Sequence, residues 1–182
     1  MSALTARDGL RRITVAQGET RVSDDVDVVL TTVLGSCVAA CFYDPVARVG
    51  GINHYLLADG HASDEASMQR YGVYAMEVLI NAMLAMGAGR HRLKARIFGG
   101  ATMRQGFRDI GGANIAFART FLRNERIALV GEDVGGTGAR RVEFRPGVGV
   151  ARCRVVTEAL RAPPVVHRPP PPPAAVGDVE FF

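Results

Sequence analysis

The sequence predicts an α+β domain, in which several short strands accompany two helices. Short apolar runs rich in Val, Leu and Thr alternate with Gly and Pro turn signals, a pattern typical of strands. Two longer stretches instead place their apolar residues at helical spacing. With 182 residues, 48% of them hydrophobic and 22% charged, the chain has the composition of one globular domain. These figures exclude disorder of the whole chain and a coiled-coil rod.

The first half of the chain is predicted to be mainly strands. Residues 1–24 form a polar entry segment with one short strand near Arg12–Val15, and a second strand runs from Val26 to Gly35. Residues 38–43 could be a strand or a short helix, because so short an apolar run is ambiguous. The pair Asp44-Pro45 indicates a turn, and Val49–Leu57 indicates a further strand.

The second half is predicted to alternate helices and strands. Caps at Ser63 and Asp64 begin a helix that ends at Gly87. After it we predict a strand, a helix, a strand, a Gly-rich loop and a hairpin that turns at Pro146-Gly147. Their ranges are Leu93–Phe98, Ala113–Arg126, Ile127–Val130, Gly131–Gly138 and Arg141–Val156.

The C-terminal segment differs in composition from the rest. Seven of the nine prolines lie beyond residue 162. Such a segment favours polyproline II or disorder over a packed core. We therefore divide the chain into an entry segment (1–24), a domain (25–160) and a Pro-rich tail (161–182).

Charge and hydropathy narrow the classes of function. The net charge is +4, but Lys94 is the only lysine and the arginines are scattered, which argues against a nucleic-acid partner. The sequence contains no run of eighteen apolar residues and therefore predicts no transmembrane helix. Its N-terminus has no secretory signal pattern. We therefore expect a cytoplasmic protein without direct membrane insertion.

The three cysteines predict free thiols rather than a disulfide framework. Cys37, Cys41 and Cys153 make an odd number in a chain without a secretory signal. Strand alternation places Cys153 on an apolar face, and Cys41 is most simply a core residue on the same side as Cys37. Cys37 is therefore the thiol of interest.

Cys37 and His54 come together if residues 38–57 form a hairpin. A four-residue loop over 44–47 pairs Tyr43 with Arg48, which places Cys37 opposite His54. Opposed Cβ atoms lie about 4.5–5.5 Å apart, so the imidazole can take the thiol proton. If residues 38–43 were helical, Cys37 would lie at a helix N-terminus, which also favours the thiolate.

The residues before Cys37 suggest a substrate loop. Gly35 permits a sharp turn, and the backbone N–H groups of Ser36 and Cys37 are candidates for an oxyanion hole.

Two other interpretations of the same residues stay open. An isolated cysteine is more often inert than catalytic, and an isolated histidine is more often structural. A zinc site built from Cys37, Cys41, His54 and His61 is disfavoured, because the six residues between the histidines exceed the usual three to five.

A longer set of motifs resembles a known family. The segment LTTVLGSCVAACFYDPVARVGGINHYLL combines an LGSC turn, an apolar stretch, a D-P-V-A turn and a Gly-rich approach to N-H. Later segments agree in character: IFGGA at 97–101, IGGANI at 110–115 and DVGGTGARRVEF at 133–144. Over residues 25–158 the chain resembles CheD, the chemoreceptor glutamine deamidase family of bacterial and archaeal chemotaxis.

The resemblance implies a cysteine hydrolase that acts on glutamine side chains of methyl-accepting chemotaxis receptors. Cys37 would be the nucleophile, His54 the general base and Thr31 the third member of the triad. Thr32 faces away from Thr31 in a strand, so the Thr31 assignment depends on register. The family needs no metal or nucleotide cofactor.

The resemblance also implies a fold and partners. The fold would be mixed β-sheets in a sandwich-like core with flanking helices, similar to the catalytic domain of cytotoxic necrotizing factor. A CheC-like phosphatase is a possible second partner beside the receptors.

Two alternative functions remain at this point. The domain could be a non-catalytic regulatory partner of such a phosphatase or of receptors, or a cysteine hydrolase that acts on a small amide. A stripe of Arg119, Arg123 and Arg126 could steer an acidic receptor helix or be an ordinary solvated helix face.

Overall fold

The computed structural model describes residues 9–57, 65–102 and 109–156. These residues form nine strands and two α-helices, together with a short 3-10 helix at Arg90–Arg92. The strands are β1 (Arg11–Thr14), β2 (Thr20–Ser23), β3 (Val28–Leu34), β4 (Val38–Asp44), β5 (Val49–Tyr55), β6 (Lys94–Gly99), β7 (Ala128–Val134), β8 (Arg140–Arg145) and β9 (Val150–Val155). The helices are α1 (Glu65–Ala85) and α2 (Ile110–Asn124).

The strands form two mixed sheets. Sheet A has the order β1-β3-β8-β9, and sheet B has the order β2-β5-β4-β6-β7. The pairs β1–β3 and β6–β7 are parallel, and the other neighbours are antiparallel. The α+β prediction is confirmed at this level.

The two sheets pack face to face, and the helices cover the outer face of sheet B. One core cluster joins Leu30 and Leu34 of sheet A to Ala39, Cys41 and Ile52 of sheet B. Another joins the opposite face of β4 and β5 to α1 and α2. The alternation of β4 and β5 thus divides their side chains between two cores, which explains why both strands are buried along their length.

The β4–β5 hairpin forms with a different register from the predicted one. Residues 38–44 are a strand, and Tyr43 pairs with Gly50 rather than with Arg48. The ladder closes at Asp44 and Val49, and Arg48 adopts a positive φ of 57° in the loop. The loop therefore comprises residues 45–48, and Ala39 rather than Cys37 lies opposite His54.

Residues 11–23 contribute to both sheets. β1 pairs with β3 in sheet A, and β2 pairs with β5 in sheet B. The sequence predicts residues 1–24 to be an entry segment with one strand. The strand β2 is an additional element that was not predicted. Both strands lie at sheet edges and are only half-buried, so their apolar alternation is weak.

Helix α2 begins three residues before its predicted start. The Asp109 side chain caps it by accepting a hydrogen bond from Gly112 N at 2.9 Å. Gly111 lies in the first turn because a Cβ there would collide with the carbonyl oxygen of Gly100. Gly111 and Gly112 weaken a helix prediction, and Gly111 allows α2 to approach the end of β6 closely.

Several predictions lie wholly or partly outside the described residues. These are the proposed caps Ser63 and Asp64, the candidate zinc ligand His61 and the Pro-rich tail 161–182. Among the helices of the described ranges, none is both long enough and apolar enough to span a membrane.

Candidate active site

The Cys37 turn joins β3 of sheet A to β4 of sheet B. Three consecutive carbonyl groups of this turn accept hydrogen bonds from elsewhere in the fold. Gly35 O accepts from Ala101 N at 2.8 Å, Ser36 O from Asn114 Nδ2 at 2.8 Å, and Cys37 O from Gly100 N at 2.7 Å. The backbone around the thiol is therefore held by the end of β6 and by α2.

Gly99 makes this close approach possible. Its φ of +101° is unfavourable for a residue with a side chain, and a Cβ there would collide with the Cys37 carbonyl oxygen. The IFGGA motif thus packs against the cysteine turn and donates hydrogen bonds to its carbonyl groups.

The carbonyl directions also orient the candidate oxyanion donors. In a trans peptide, the N–H of one residue points opposite to the carbonyl of the preceding residue. Because the Gly35 and Ser36 carbonyls point towards Ala101 and Asn114, the N–H groups of Ser36 and Cys37 point away from these groups. They are thus directed away from the β6–α2 side of the turn.

Asn114 is a buried connector that the sequence analysis did not single out. Its side chain donates to Ser36 O and accepts from Leu57 N at 3.0 Å, and its backbone carbonyl accepts from Tyr55 Oη at 3.1 Å. It is fully buried in α2. Asn114 therefore ties the cysteine turn to the end of β5, and its position inside the apolar face of a helix was the signal that could have revealed it.

His54 lies in β5 and points into the space between the two sheets, with 6% of its surface exposed. Its Nδ1 lies 2.9 Å from Thr32 Oγ1, and the same hydroxyl donates to Val15 O at 2.8 Å. A carbonyl can only accept, so the single hydroxyl hydrogen belongs to the bond with Val15. Thr32 Oγ1 then accepts from Nδ1–H, which leaves the lone pair of neutral His54 on Nε2.

The Nε2 atom of His54 carries a lone pair that no described group binds. It is buried and has no hydrogen-bond partner among the described residues. Burial lowers the pKa of His54 from its ordinary value of 6.5, and a longer contact of 3.5 Å between Nδ1 and Val15 O opposes this effect. The imidazole is therefore neutral at pH 7, with its basic nitrogen uncommitted.

The hydrogen bond to His54 is made by Thr32, whereas the family resemblance implies Thr31 as the third member of the triad. Thr32 shares the inner face of β3 with Leu30 and Leu34, whereas Thr31 lies on the opposite, half-buried face. Thr31 contributes through its backbone, because its carbonyl accepts from Val15 N at 2.8 Å.

Cys37 and His54 remain on the same side of the hairpin despite the changed register. Cys37 precedes β4, whose ladder begins at Val38, and it packs against the core cluster that contains Ala39, the residue opposite His54. The Cys37 thiol is half-buried and donates to Gln17 Oε1 at 3.1 Å.

The other two cysteines differ from Cys37 in environment. Cys41 lies in the core between the sheets, 2% exposed, and burial raises the pKa of its thiol strongly. Cys153 is half-buried, and burial together with Asp133 raises its pKa to about 12. Both thiols are therefore protonated at neutral pH.

A metal site finds no support in the described ranges, which contain no cluster of three or more His, Cys, Asp or Glu side chains suited to an ion. Cys37 and Cys41 do not converge on a common site, since one lies at the turn and the other in the core.

The sequence of this chain is similar to those of several known proteins. Residues 56–155 match the family model described as CheD chemotactic sensory transduction. The chain is 58% identical over 177 residues to a probable chemoreceptor glutamine deamidase CheD of Zymomonas mobilis, covering 96% of this chain and 94% of that protein. The chain belongs to the CheD family.

Two further CheD relatives bear the same description. The protein of Caulobacter sp. is 51% identical over 94% of this chain and 93% of its own length. The protein of Rhizobium meliloti is 49% identical over 94% of this chain and 96% of its own length. These alignments include Cys37 and His54, which lie outside the segment matched by the CheD family model.

Solved structures give a weaker likeness. A Neisseria meningitidis protein of the DUF152 family aligns with a TM-score of 0.45 and 14% identity, over 71% of this chain and 64% of that one. The Bacillus licheniformis protein YfiH aligns with a TM-score of 0.42 and 15% identity, over 65% of this chain and 49% of that one.

Proposed function

We propose that this chain is a chemoreceptor glutamine deamidase that uses Cys37 as its nucleophile and His54 as its general base. The observation that carries the proposal is the hydrogen bonding of His54, because Thr32 and Val15 leave its basic Nε2 uncommitted. A deamidase needs such a base beside a thiol, and the names of the CheD relatives supply the class of substrate.

The first half of the reaction forms a thioester. His54 Nε2 takes the Cys37 thiol proton, and the sulfur attacks the carboxamide carbon of a receptor glutamine. The N–H groups of Ser36 and Cys37 stabilise the negative oxygen of the tetrahedral intermediate. The imidazolium returns the proton to the amide nitrogen, and ammonia leaves as the carbon–nitrogen bond breaks.

The second half consumes one water molecule. Neutral His54 takes a proton from water, and the resulting hydroxide attacks the thioester carbon. The carbon–sulfur bond then breaks, the thiol recovers its proton, and the side chain is released as glutamate. Amide and water thus become carboxylate and ammonium, with no change in oxidation state and no cofactor.

Thr32 serves this scheme as a positioning residue. By accepting from Nδ1–H it fixes the ring orientation and the tautomer, the part that a carboxylate plays in other triads. A neutral hydroxyl supports the imidazolium less than a carboxylate does, so its contribution is smaller.

The product of the proposed reaction carries one more negative charge on the receptor and a new carboxylate that can be methylated. We place this chemistry in the cytoplasm, where the proposed thiol stays reduced. Binding of a CheC-like phosphatase and a similarity to the catalytic domain of cytotoxic necrotizing factor remain predictions from the family.

The proposal is tested by intact-mass analysis of receptor cytoplasmic fragments incubated with the enzyme. Each deamidated glutamine adds about 1 Da, because NH₂ is exchanged for OH. Peptide mapping then locates the modified glutamines, with a Cys37→Ala enzyme as the control. A tight complex that forms without any mass gain would replace this proposal with a purely regulatory binding role.

A further inference from the structure

The side chain of Gln17 makes direct contact with the proposed nucleophile. The Cys37 thiol donates to Gln17 Oε1 at 3.1 Å, and Gln17 is itself an exposed residue. The group that contacts the sulfur is therefore a glutamine carboxamide, the functional group that the proposed reaction consumes. We propose that the Gln17 carboxamide occupies the site of the substrate carboxamide, and that an incoming glutamine must displace it; this inference rests on the proposed deamidase function.

The turn that carries Gln17 is hydrogen-bonded to the backbone of His54, the proposed base. Gln17 lies in the tight turn between β1 and β2, where Glu19 N donates to Ala16 O at 3.0 Å and Gly18 has a φ of +80°. Gly18 N donates to His54 O at 2.7 Å, and His54 N donates to Glu19 O at 3.1 Å. These hydrogen bonds to the backbone of His54 fix the position of the turn, from which the Gln17 side chain contacts Cys37.

The anchored backbone does not prevent the side chain from leaving. Gln17 has three rotatable side-chain bonds and an exposed position, so its amide can swing into solvent while the turn stays in place. Displacement therefore costs one hydrogen bond to the thiol and no rearrangement of the sheets.

A substrate carbon that approaches the sulfur from the side of Gln17 must take the place of the Gln17 carboxamide. Attack requires the substrate carbon to come within about 3–3.5 Å of the nucleophile. The Gln17 oxygen already lies at 3.1 Å from that atom. In this orientation the oxygen accepts a hydrogen from the neutral thiol, whereas a thiolate would require the carboxamide to turn its NH₂ group towards the sulfur.

The consequence is competition between an intramolecular amide and the receptor amide. An enzyme without the Gln17 carboxamide should bind substrate more tightly and expose a more reactive thiol. Because one neutral hydrogen bond is at stake, the expected effect is about threefold to tenfold.

The experiment compares Gln17→Ala and Gln17→Glu with the wild-type chain, using Gln69→Ala on the exposed surface of α1 as the matched control. The first measurement is the rate at which iodoacetamide alkylates Cys37, located by peptide mapping and made without receptor. The second is KM and kcat for deamidation of a receptor fragment.

We expect Gln17→Ala to accelerate alkylation about threefold to tenfold and to lower KM by a similar factor, with kcat within twofold. Gln17→Glu keeps the size of the side chain but places a carboxylate at the sulfur, so alkylation should slow. Gln69→Ala should match the wild type in both measurements.

Two results would overturn the inference and leave the proposed function intact. One is receptor deamidation by the wild type with no acceleration of alkylation in Gln17→Ala. The other is slower alkylation in Gln17→Ala, which would make Gln17 an activating residue. Failure of the proposed function has a different signature, namely faster alkylation in Gln17→Ala together with no deamidation of any receptor fragment by any of the enzymes.

Discussion

The β4–β5 hairpin has two ends with opposite properties. At the loop end, the fully buried carboxylate of Asp44 accepts hydrogen bonds from Val46 N, Ala47 N and Gly89 N and from the guanidinium of Arg92. At the other end, the buried Nε2 of His54 has no hydrogen-bond partner within the described ranges. One end satisfies its buried polar group completely, and the other leaves one unsatisfied.

The Asp44 end of the hairpin contributes to stability, and the His54 end holds the residue that we propose as the base. An unsatisfied buried nitrogen costs free energy of folding, and the proposed mechanism gives the His54 nitrogen the role of base. The saturated Asp44 end offsets that cost by fixing the hairpin and the 3-10 helix together. Substitutions at the two ends should therefore affect different measurements.

The largest effect on rate is expected at Cys37. Cys37→Ala removes the nucleophile and should abolish deamidation, a loss of at least about 10⁴-fold. Cys41→Ala is the matched control, since it removes a thiol from the core side of the adjoining strand β4 and should keep the rate within about twofold. Mass gain on a receptor fragment measures both rates. Equal activity of the two variants would end the nucleophile assignment.

The next effect is expected at His54. His54→Ala removes the base, and we expect deamidation to slow by about 10²–10⁴-fold. His91→Ala, in the exposed 3-10 helix, is the control histidine and should leave the rate unchanged. Initial rates at pH 7 provide the measurement. A loss below tenfold in His54→Ala would remove this residue from the role of base.

A smaller effect is expected when the hydroxyl partner of His54 is removed. Thr32→Val keeps the shape of the side chain but loses the acceptor for Nδ1–H, and kcat should fall by about tenfold, the value of one hydrogen bond. Thr31→Val removes a hydroxyl from the opposite face of β3 and should leave kcat within about twofold. The reverse result, a large loss in Thr31→Val alone, would restore the assignment expected from the family.

The smallest effect on rate and the largest on stability are expected at Asp44. Asp44→Ala leaves three N–H groups and Arg92 without their acceptor, and should cost about 3 kcal/mol of the free energy of unfolding, or about 10 °C in melting temperature. The rate per folded molecule below the melting transition should stay within about twofold. Thermal unfolding followed by circular dichroism measures the loss.

The pH dependence of stability provides a second test at Asp44. Hydrogen bonds from Arg92 and three backbone N–H groups hold the pKa of this carboxyl far below its ordinary value of 3.8, against the opposing effect of burial. The stabilisation is complete above the unfolded pKa and is lost as the pH falls below it. The melting temperatures of wild type and Asp44→Ala should therefore converge as the pH falls below about 3.8. A constant difference down to pH 2 would exclude this linkage.

Sequence reasoning predicted most of the large elements because their apolar patterns are strong. The central strands β3 and β5 and both helices were anticipated, whereas β4 was one of two alternatives left open for residues 38–43. Their ends differ by a few residues where glycines obscure the pattern, as at the start of α2. The edge strand β2 was missed because its half-buried residues alternate weakly.

The site was predicted less completely, for a physical reason. Cys37 and His54 share one hairpin, so local spacing is enough to bring them to one face. Thr32, Gln17 and Asn114 reach them through pairing between distant segments. Adjacent threonines can be told apart only when the inner face of β3 is known, which depends on how the two sheets pack.

The placement of His54 and Thr32 on facing sheets has a consequence for the folding chain. In the proposed mechanism, His54 acquires its working tautomer only once sheet A has docked on sheet B. A nascent or partly opened polypeptide therefore carries the thiol without an aligned imidazole and cannot attack stray amides around it. Catalytic competence and completed assembly of the sandwich arrive in the same event, so turnover itself reports that the two layers have closed.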